Sequence, residues 1–370
     1  MMSTAPGPIG DTTPFPSGAD GLREQLARGH TLPATWYTDA GVFERERAHI
    51  FRRAWHYVGH LARLARPGDY LTADAGGIPV VVLRDQEGTI RALVNVCRHR
   101  GHQVAQGQGN KRVLQCPYHA WTYGLDGSLR AAPRADREDE FDPCAYALLP
   151  LAVGTWGPLV FVNPDPAAVP LAEALGDLPA QVASATPNLD DLLLRHRQEY
   201  DLRANWKVFV ENSIECYHCP VAHPGFSALI DVDPEAYQLS AGPGYVQHRG
   251  WLRARDDRAG PPDFQFSYFF PTTMLSMPPG RLNLTLIRPV DSERTRIVTE
   301  FYFQGAPSQA EVQEQVAFTN RTKREDQDLV ESVQRGLRSG MLAQGRYLLH
   351  SEHLLQHFDL LVYDALQAAR

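Results

Sequence analysis

A two-domain α+β protein is predicted, with a small all-β domain first and a larger domain of antiparallel strands and helices after it. Three observations carry the prediction. The 370 residues are too many for one small core and a natural length for two. Between residues 56 and 162, short β-rich runs alternate with Gly, Pro, Asp and Asn turns. Across residues 163–170, Pro and Asp cluster ahead of an Ala/Leu-rich stretch of helical character.

Residues 1–30 read as a mobile arm of Pro, Gly, Ser and Thr. From Ala40 to Trp55, Val42, Phe43, Ile50 and Ala54 recur at helical spacing among charges, and residues 31–55 are expected as a helical segment that packs with the second domain. In the first domain, 56–165, the runs 70–73, 78–83, 90–94 and 159–162 are the strands. In the second, 166–370, residues 245–253, 263–270, 273–277, 282–289 and 296–303 read as successive antiparallel strands. Helices follow over about 308–335 and 345–367. No internal repeat is visible.

Composition excludes several function classes. The longest apolar stretch, Ile78 to Leu83, is far short of the roughly 20 residues that span a bilayer. No cationic segment precedes an apolar core at the amino terminus, so a cytoplasmic location is expected. A net charge of −7 with scattered basic residues excludes nucleic acid as a partner. Five cysteines, an odd number in such a chain, do not suggest a disulfide framework. Metal binding becomes the question.

Cys97-x-His99 is followed, after sixteen residues, by Cys116-x-x-His119, each pair in a turn-rich loop past a predicted strand. Mixed Cys–His pairs suit a [2Fe–2S] cluster in which thiolates hold one iron and imidazoles the other, lifting its potential to about −150 to +300 mV. A structural zinc site takes the same residue types, but zinc fingers pair Cys with Cys and His with His locally. The flanking residues complete the strings CRHRG and CPYHAW, and here the chain resembles the Rieske ring-hydroxylating oxygenases of α-subunit type. His102, beside the motif, reads as a loop histidine rather than a ligand.

Glu215-x-x-His218-x-x-x-x-His223 lies in a stretch with the apolar spacing of a buried helix. On such a helix Glu211, Glu215 and His218 share one face, and Pro220 would interrupt it and let His223 turn back toward His218. Two His and one carboxylate on one face of Fe(II) leave positions open for O2 and substrate. The carboxylate must come from elsewhere: Asp326, in Glu325-Asp326-x-x-x-x-Glu331, is the candidate and Asp328 its rival. The resemblance spans the chain from Leu32 onward and matches Glu215, His218, His223 and Asp326 to the family's acidic bridge and iron ligands. Many members carry aspartate at the bridge, and this chain has Glu215, one methylene longer. Cys216 and Cys219 form a CxxC, read as buried packing thiols, and Cys144 has no partner signal. His350, His353 and His357 mark a polar face of the last helix or a subunit contact.

The resemblance implies a Rieske domain followed by a helix-grip-like catalytic domain, and O2 activation at a mononuclear iron fed by the cluster. It also implies a homotrimer, or a multiple of one, in which electrons cross between subunits through Glu215. No G-x-G-x-x-G fingerprint is present, so NAD(P)H electrons are expected through a separate reductase of flavin or ferredoxin type. The string ECYHCPVAHP is most similar to the branch that oxidises quaternary ammonium compounds, including glycine betaine, stachydrine and carnitine. Phe264, Phe266, Tyr268 and Phe270 alternate along one predicted strand, where rings could cage a trimethylammonium group or fill the core. The alternatives are a hydroxylase of an aromatic or natural-product ring and, from another class, a Rieske electron carrier or redox sensor.

Overall fold

The computed structural model describes residues 21–183, 189–255 and 260–368. They form two compact units, residues 51–174 and residues 21–50 together with 175–368. The first has ten strands: β1 (His56–His60), β2 (Asp69–Ala75), β3 (Ile78–Arg84), β4 (Ile90–Val94), β5 (Gln108–Asn110), β6 (Leu114–Gln115), β7 (Thr122–Tyr123), β8 (Leu129–Ala131), β9 (Pro150–Trp156) and β10 (Leu159–Asn163). Seven make an antiparallel sheet in the order β1-β10-β9-β4-β3-β2-β5, and β6-β7-β8 form a smaller one. The unbroken apolar run in β3 has a physical reason. Val81 and Leu83 join the core that holds Cys97 and Cys116, while Val80 and Val82 enter a second core with Val58 and Val160. Successive side chains point to opposite faces, so a strand buried on both needs no polar alternation.

This unit reaches Ala174, beyond the boundary expected at 165. Trp55 Nε1 donates to the Val169 carbonyl at 3.1 Å, and Leu171 packs so closely on Gly154 that a Cβ there would lie 2.9 Å from it. The chain leaves the unit within α3 (Leu171–Leu175) and continues into α4 (Leu178–Ala183).

The arm expected over 1–30 is corrected in part. Residues 1–20 lie outside the described residues, but Leu22–Ala27 is a helix, α1, with Leu22 and Leu26 fully buried. Its signal, two leucines four apart in a six-residue helix, is too short to register as a period. α2 (Ala40–His49) follows, its start capped by Asp39 accepting from the Val42 amide at 3.0 Å.

The second unit is built on seven antiparallel strands: β11 (Leu192–Leu202), β12 (Gln238–Gly242), β13 (Tyr245–Gly250), β14 (Phe264–Phe269), β15 (Thr273–Met277), β16 (Arg281–Asp291) and β17 (Arg294–Gln304). Their order is β11-β17-β16-β15-β14-β13-β12. β11 is absent from the sequence reading because, at the sheet edge, its LLLRHRQEYDL alternates between exposed and half-buried positions without a hydrophobic face. The remaining helices are α5 (Trp206–Ser213), α6 (Cys219–Ala222), α7 (Pro224–Leu229), α8 (Gln309–Arg338) and α9 (Leu349–Gln367). α8 opens with a capping box in which Ser308 and Glu311 satisfy each other's backbone amides. α5 is anchored by a buried ion pair between Lys207 and Glu46, which also accepts from Trp206 Nε1 at 2.8 Å. No described helix is long and apolar enough to cross a membrane.

Candidate metal centres

In the first unit two loops carry the Cys and His residues, and they close in the same way. The Cys97 amide donates to the His102 carbonyl at 2.8 Å and the Gly101 amide to the Cys97 carbonyl at 3.0 Å. The Cys116 amide donates to Trp121 and the Ala120 amide to Cys116, at the same two distances. In each loop the fourth residue after the cysteine is left-handed, Gly101 at φ 79° and Ala120 at φ 59°. Glycine takes that conformation freely, whereas alanine resists it by roughly 1–2 kcal/mol. Asn95, buried at the base of the first loop, accepts from the Val104 and Ala105 amides and donates to the Ala105 carbonyl.

These loops sort their side chains by depth. Cys97 and Cys116 are buried in the core, while His99 and His119 are exposed with ring centroids 4.6 Å apart. His99 stacks on Trp121 at 5.0 Å. Tyr123 Oη lies 3.3 Å from the Cys97 sulfur. Burial raises the Cys116 thiol, opposed by the amides of Tyr118 and His119 that point at its sulfur. Among the described residues the four side chains do not converge on one point, since the one set of three or more possible donors lying within 4.8 Å of each other is elsewhere. A buried thiol pair beside an exposed imidazole pair fits a two-iron cluster and not a single tetrahedral zinc ion.

That other set is His218, His223 and Asp326. The helix expected to carry Glu211, Glu215 and His218 on one face ends at Ser213, so those three do not share a helical face. Pro220 is not the break either: it sits in the first turn of α6, where its missing N–H costs nothing. His218 caps α6, and His223 stands between α6 and α7. Both imidazoles are held from behind by carboxylates. His218 Nδ1 bonds Glu215, and His223 Nδ1 bonds Glu325 Oε2 at 2.8 Å. The two Nε2 atoms therefore face each other at 3.2 Å, with Asp326 Oδ1 2.9 Å from that of His223 and 3.7 Å from that of His218. Bonds of about 2.1 Å at right angles put neighbouring ligands about 3 Å apart, so the spacing accepts one metal ion. Burial lowers the His223 pKa, but the hydrogen bonds and charges of Asp326 and Glu325 outweigh it and raise the value.

Asp326 is steadied by Asn212, whose amide donates to Oδ1 at 2.8 Å, whereas Asp328 is exposed and outside the group. The sequence reading assigned no role to Asn212 or Glu325. Only the position of Glu325 beside Asp326 hinted at it. The expectation of free packing thiols is corrected: Cys216 and Cys219, buried with Ile230 and Tyr237, are joined by a disulfide, their Cα atoms 4.9 Å apart across the turn that leads into α6.

These residues border a cavity of about 620 Å³ within the second unit, a volume typical of small-molecule sites. Of the four alternating aromatics, Phe264 and Phe266 line it. Tyr268 and Phe270 instead pack on Phe358. Tyr237 and His248 extend the aromatic wall, with His248 5.2 Å from Phe266 and donating Nε2–H toward the Ile214 carbonyl at 2.9 Å. Burial pushes His248 down to about 4, so this wall is uncharged at neutral pH.

Both units match known domain families. Residues 54–151 match the Rieske [2Fe-2S] domain, and residues 189–368 match the ring hydroxylating alpha subunit catalytic domain. The chain is 37% identical to the carnitine monooxygenase oxygenase subunit of Acinetobacter pittii, over 90% of this chain and 94% of that one. It is 31% identical to the chloroplastic choline monooxygenase of Spinacia oleracea, over 89% and 76%. A crystal structure of the quaternary ammonium Rieske monooxygenase CntA with substrate L-carnitine superposes with a TM-score of 0.82 at 35% identity, covering 91% of this chain and 96% of that one. The chain therefore belongs to the Rieske non-haem iron oxygenases of the ring-hydroxylating α-subunit family, oxidoreductases that carry a [2Fe–2S] cluster and a mononuclear iron.

Proposed function

We propose that this chain is the oxygenase component of a system that oxidises a quaternary ammonium compound. In this reading Cys97, His99, Cys116 and His119 hold the cluster, and His218, His223 and Asp326 hold the mononuclear iron. The observation that carries it is the convergence of two Nε2 atoms and one carboxylate oxygen beside a cavity with an uncharged aromatic wall. When bound, the two metal groups supply single electrons and the activation of O2. Glu215 and Glu325 keep the Nδ1 protons in place, so each imidazole presents its Nε2 lone pair. Phe264, Phe266 and Tyr237 offer ring faces to an N-methyl cation. Hydroxylation of a carbon on that nitrogen consumes O2, two electrons and two protons and releases water. The product then cleaves its C–N bond to give an amine and an aldehyde.

A separate NAD(P)H-dependent reductase of flavin or ferredoxin type supplies the electrons, and the system works in the cytoplasm as a homotrimer or a multiple of one. Glu215, bonded to His218 on its own side, would accept a second bond from His99 or His119 of the partner subunit. Turnover with a surrogate reductase tests the reading. L-Carnitine, glycine betaine, stachydrine and choline are compared with a panel of aromatic acids, following O2-dependent loss of substrate. Turnover confined to the quaternary amines is expected, and turnover confined to the aromatics overturns it.

A further inference from the structure

Alternate residues of β16 and every fourth residue of α8 meet in a polar seam along the cavity. Arg281 Nη1 donates to Gln315 Oε1 at 2.7 Å, and Asn283 Nδ2 to Thr319 Oγ1 at 3.4 Å. Next along, Lys323 Nζ donates to Thr299 Oγ1, which lies 3.1 Å from the Thr285 hydroxyl. The steps match because four helical residues rise about 6.0 Å and two strand residues about 6.7 Å. The seam thus delivers Lys323 to the cavity one helical turn before Asp326.

Its last members are left short of partners. An ammonium has three donors, and among the described residues Thr299 is the hydrogen-bond partner of Lys323, with no carboxylate in an ion pair with it. Its Nζ lies over the Tyr200 ring, 5.5 Å from the centroid. The Asn283 Oδ1 nearby is also buried without a hydrogen-bond partner, but as an acceptor it is not what an anion would satisfy. Burial pushes Lys323 down to about 7, opposed by the charge of Asp326, so an anion at Nζ would relieve a real cost. Arg281 is a weaker candidate, because it is already bonded to Gln315, lies over the Phe303 ring and sits near Glu311.

We propose that Lys323 reads an anionic end of the substrate, which is therefore a zwitterion with its quaternary ammonium on the Phe264/Phe266 wall and a carboxylate on Nζ. The inference rests on the quaternary-ammonium reading above and narrows it. Thr299 and Phe266 lie on β17 and β14, three strands apart in the sheet and two residues out of register, a backbone span of roughly 16 Å. A cation–π approach, a linker of a few carbons and a salt bridge fill such a span.

The test is binding, measured calorimetrically and anaerobically on the full chain with both metal groups loaded. The probes are L-carnitine and γ-butyrobetaine, which end in a carboxylate, and choline, which ends in an alcohol. The wild type should bind both carboxylates at least about tenfold more tightly than choline. Lys323→Met should bring them to the level of choline, and Lys323→Arg should restore part of the preference. The wild-type comparison needs no variant, so poor folding of either mutant leaves the test standing. Equal wild-type affinities, or a preference that survives in Lys323→Met, overturn the assignment to Lys323. Failure of all three probes to bind overturns the quaternary-ammonium reading itself.

Discussion

The two candidate metal centres are built on opposite plans. In the first unit the candidate ligands sit in two neighbouring loops, each closed by its own pair of backbone hydrogen bonds and a left-handed residue. In the second, His223 and Asp326 are 103 positions apart and meet because α8 is laid beside the α5–α7 segment. The first centre is held by backbone geometry, with its imidazoles in solvent. The second is held by side chains, with a carboxylate behind each imidazole. A local site of the first kind writes its ligands into a short string. A distributed site depends on tertiary placement, and most of its supporting residues leave no local mark.

If that contrast is right, damage to one scaffold should spare the other centre. The largest effect is expected from Lys207→Met, which leaves Glu46 buried without its cation and should cost about 3–5 kcal/mol. Chemical denaturation followed by amide hydrogen exchange in the second unit and by cluster absorbance should show the exchange transition moving alone. A matching shift in the absorbance would mean that the centres share one scaffold. Asn95→Ala is the converse: it strands the Val104 and Ala105 amides at the base of the first loop, at roughly 1–3 kcal/mol. Cluster content should drop while iron at the other site stays.

Glu325→Gln sharpens the comparison within the second centre. With a weaker acceptor behind His223 Nδ1, iron affinity should fall by about 10–100-fold in chelator competition. An unchanged affinity would show that Glu215 and Asp326 suffice. The smallest effect is a change of pH slope. Burial raises the fully buried Asp359 carboxyl to about 7, beside Glu211, which is raised as well. The folded state therefore holds a proton that the unfolded state has released above about 4. The associated stability is full below that value and is lost as pH rises through about 7. Asp359→Asn should flatten Tm against pH over this window, and a slope as steep as the wild type's would place the effect on Glu211.

What could be read in advance follows the same division. The Cys–His spacing of the first centre is a signal in itself, because the thiol and imidazole roles map onto adjacent positions. For the second, the histidines were legible, but Asp326 and Asp328 are equivalent in an acidic helix until the helix is rotated into place. Helical spacing misplaced Glu211, Glu215 and His218 because nothing in the segment announces the stop at Ser213, where Ile214 takes a non-helical conformation. β11 and α1 escaped because an edge strand and a six-residue helix carry too little period. Lys323, Asn212 and Glu325 were invisible for a different reason: each acquires its role from a partner on another element.

The most direct test of two separate centres is the metal and sulfide content of anaerobically purified protein, with EPR of the reduced state. The wild type should contain about three irons and two sulfides per chain. Asp326→Ala should keep about two irons with an unchanged cluster signal, and Cys97→Ser should lose the sulfide and keep about one. Zinc without sulfide in the wild type would contradict the account, and so would an Asp326→Ala protein that keeps all three irons while Asp328→Ala loses one.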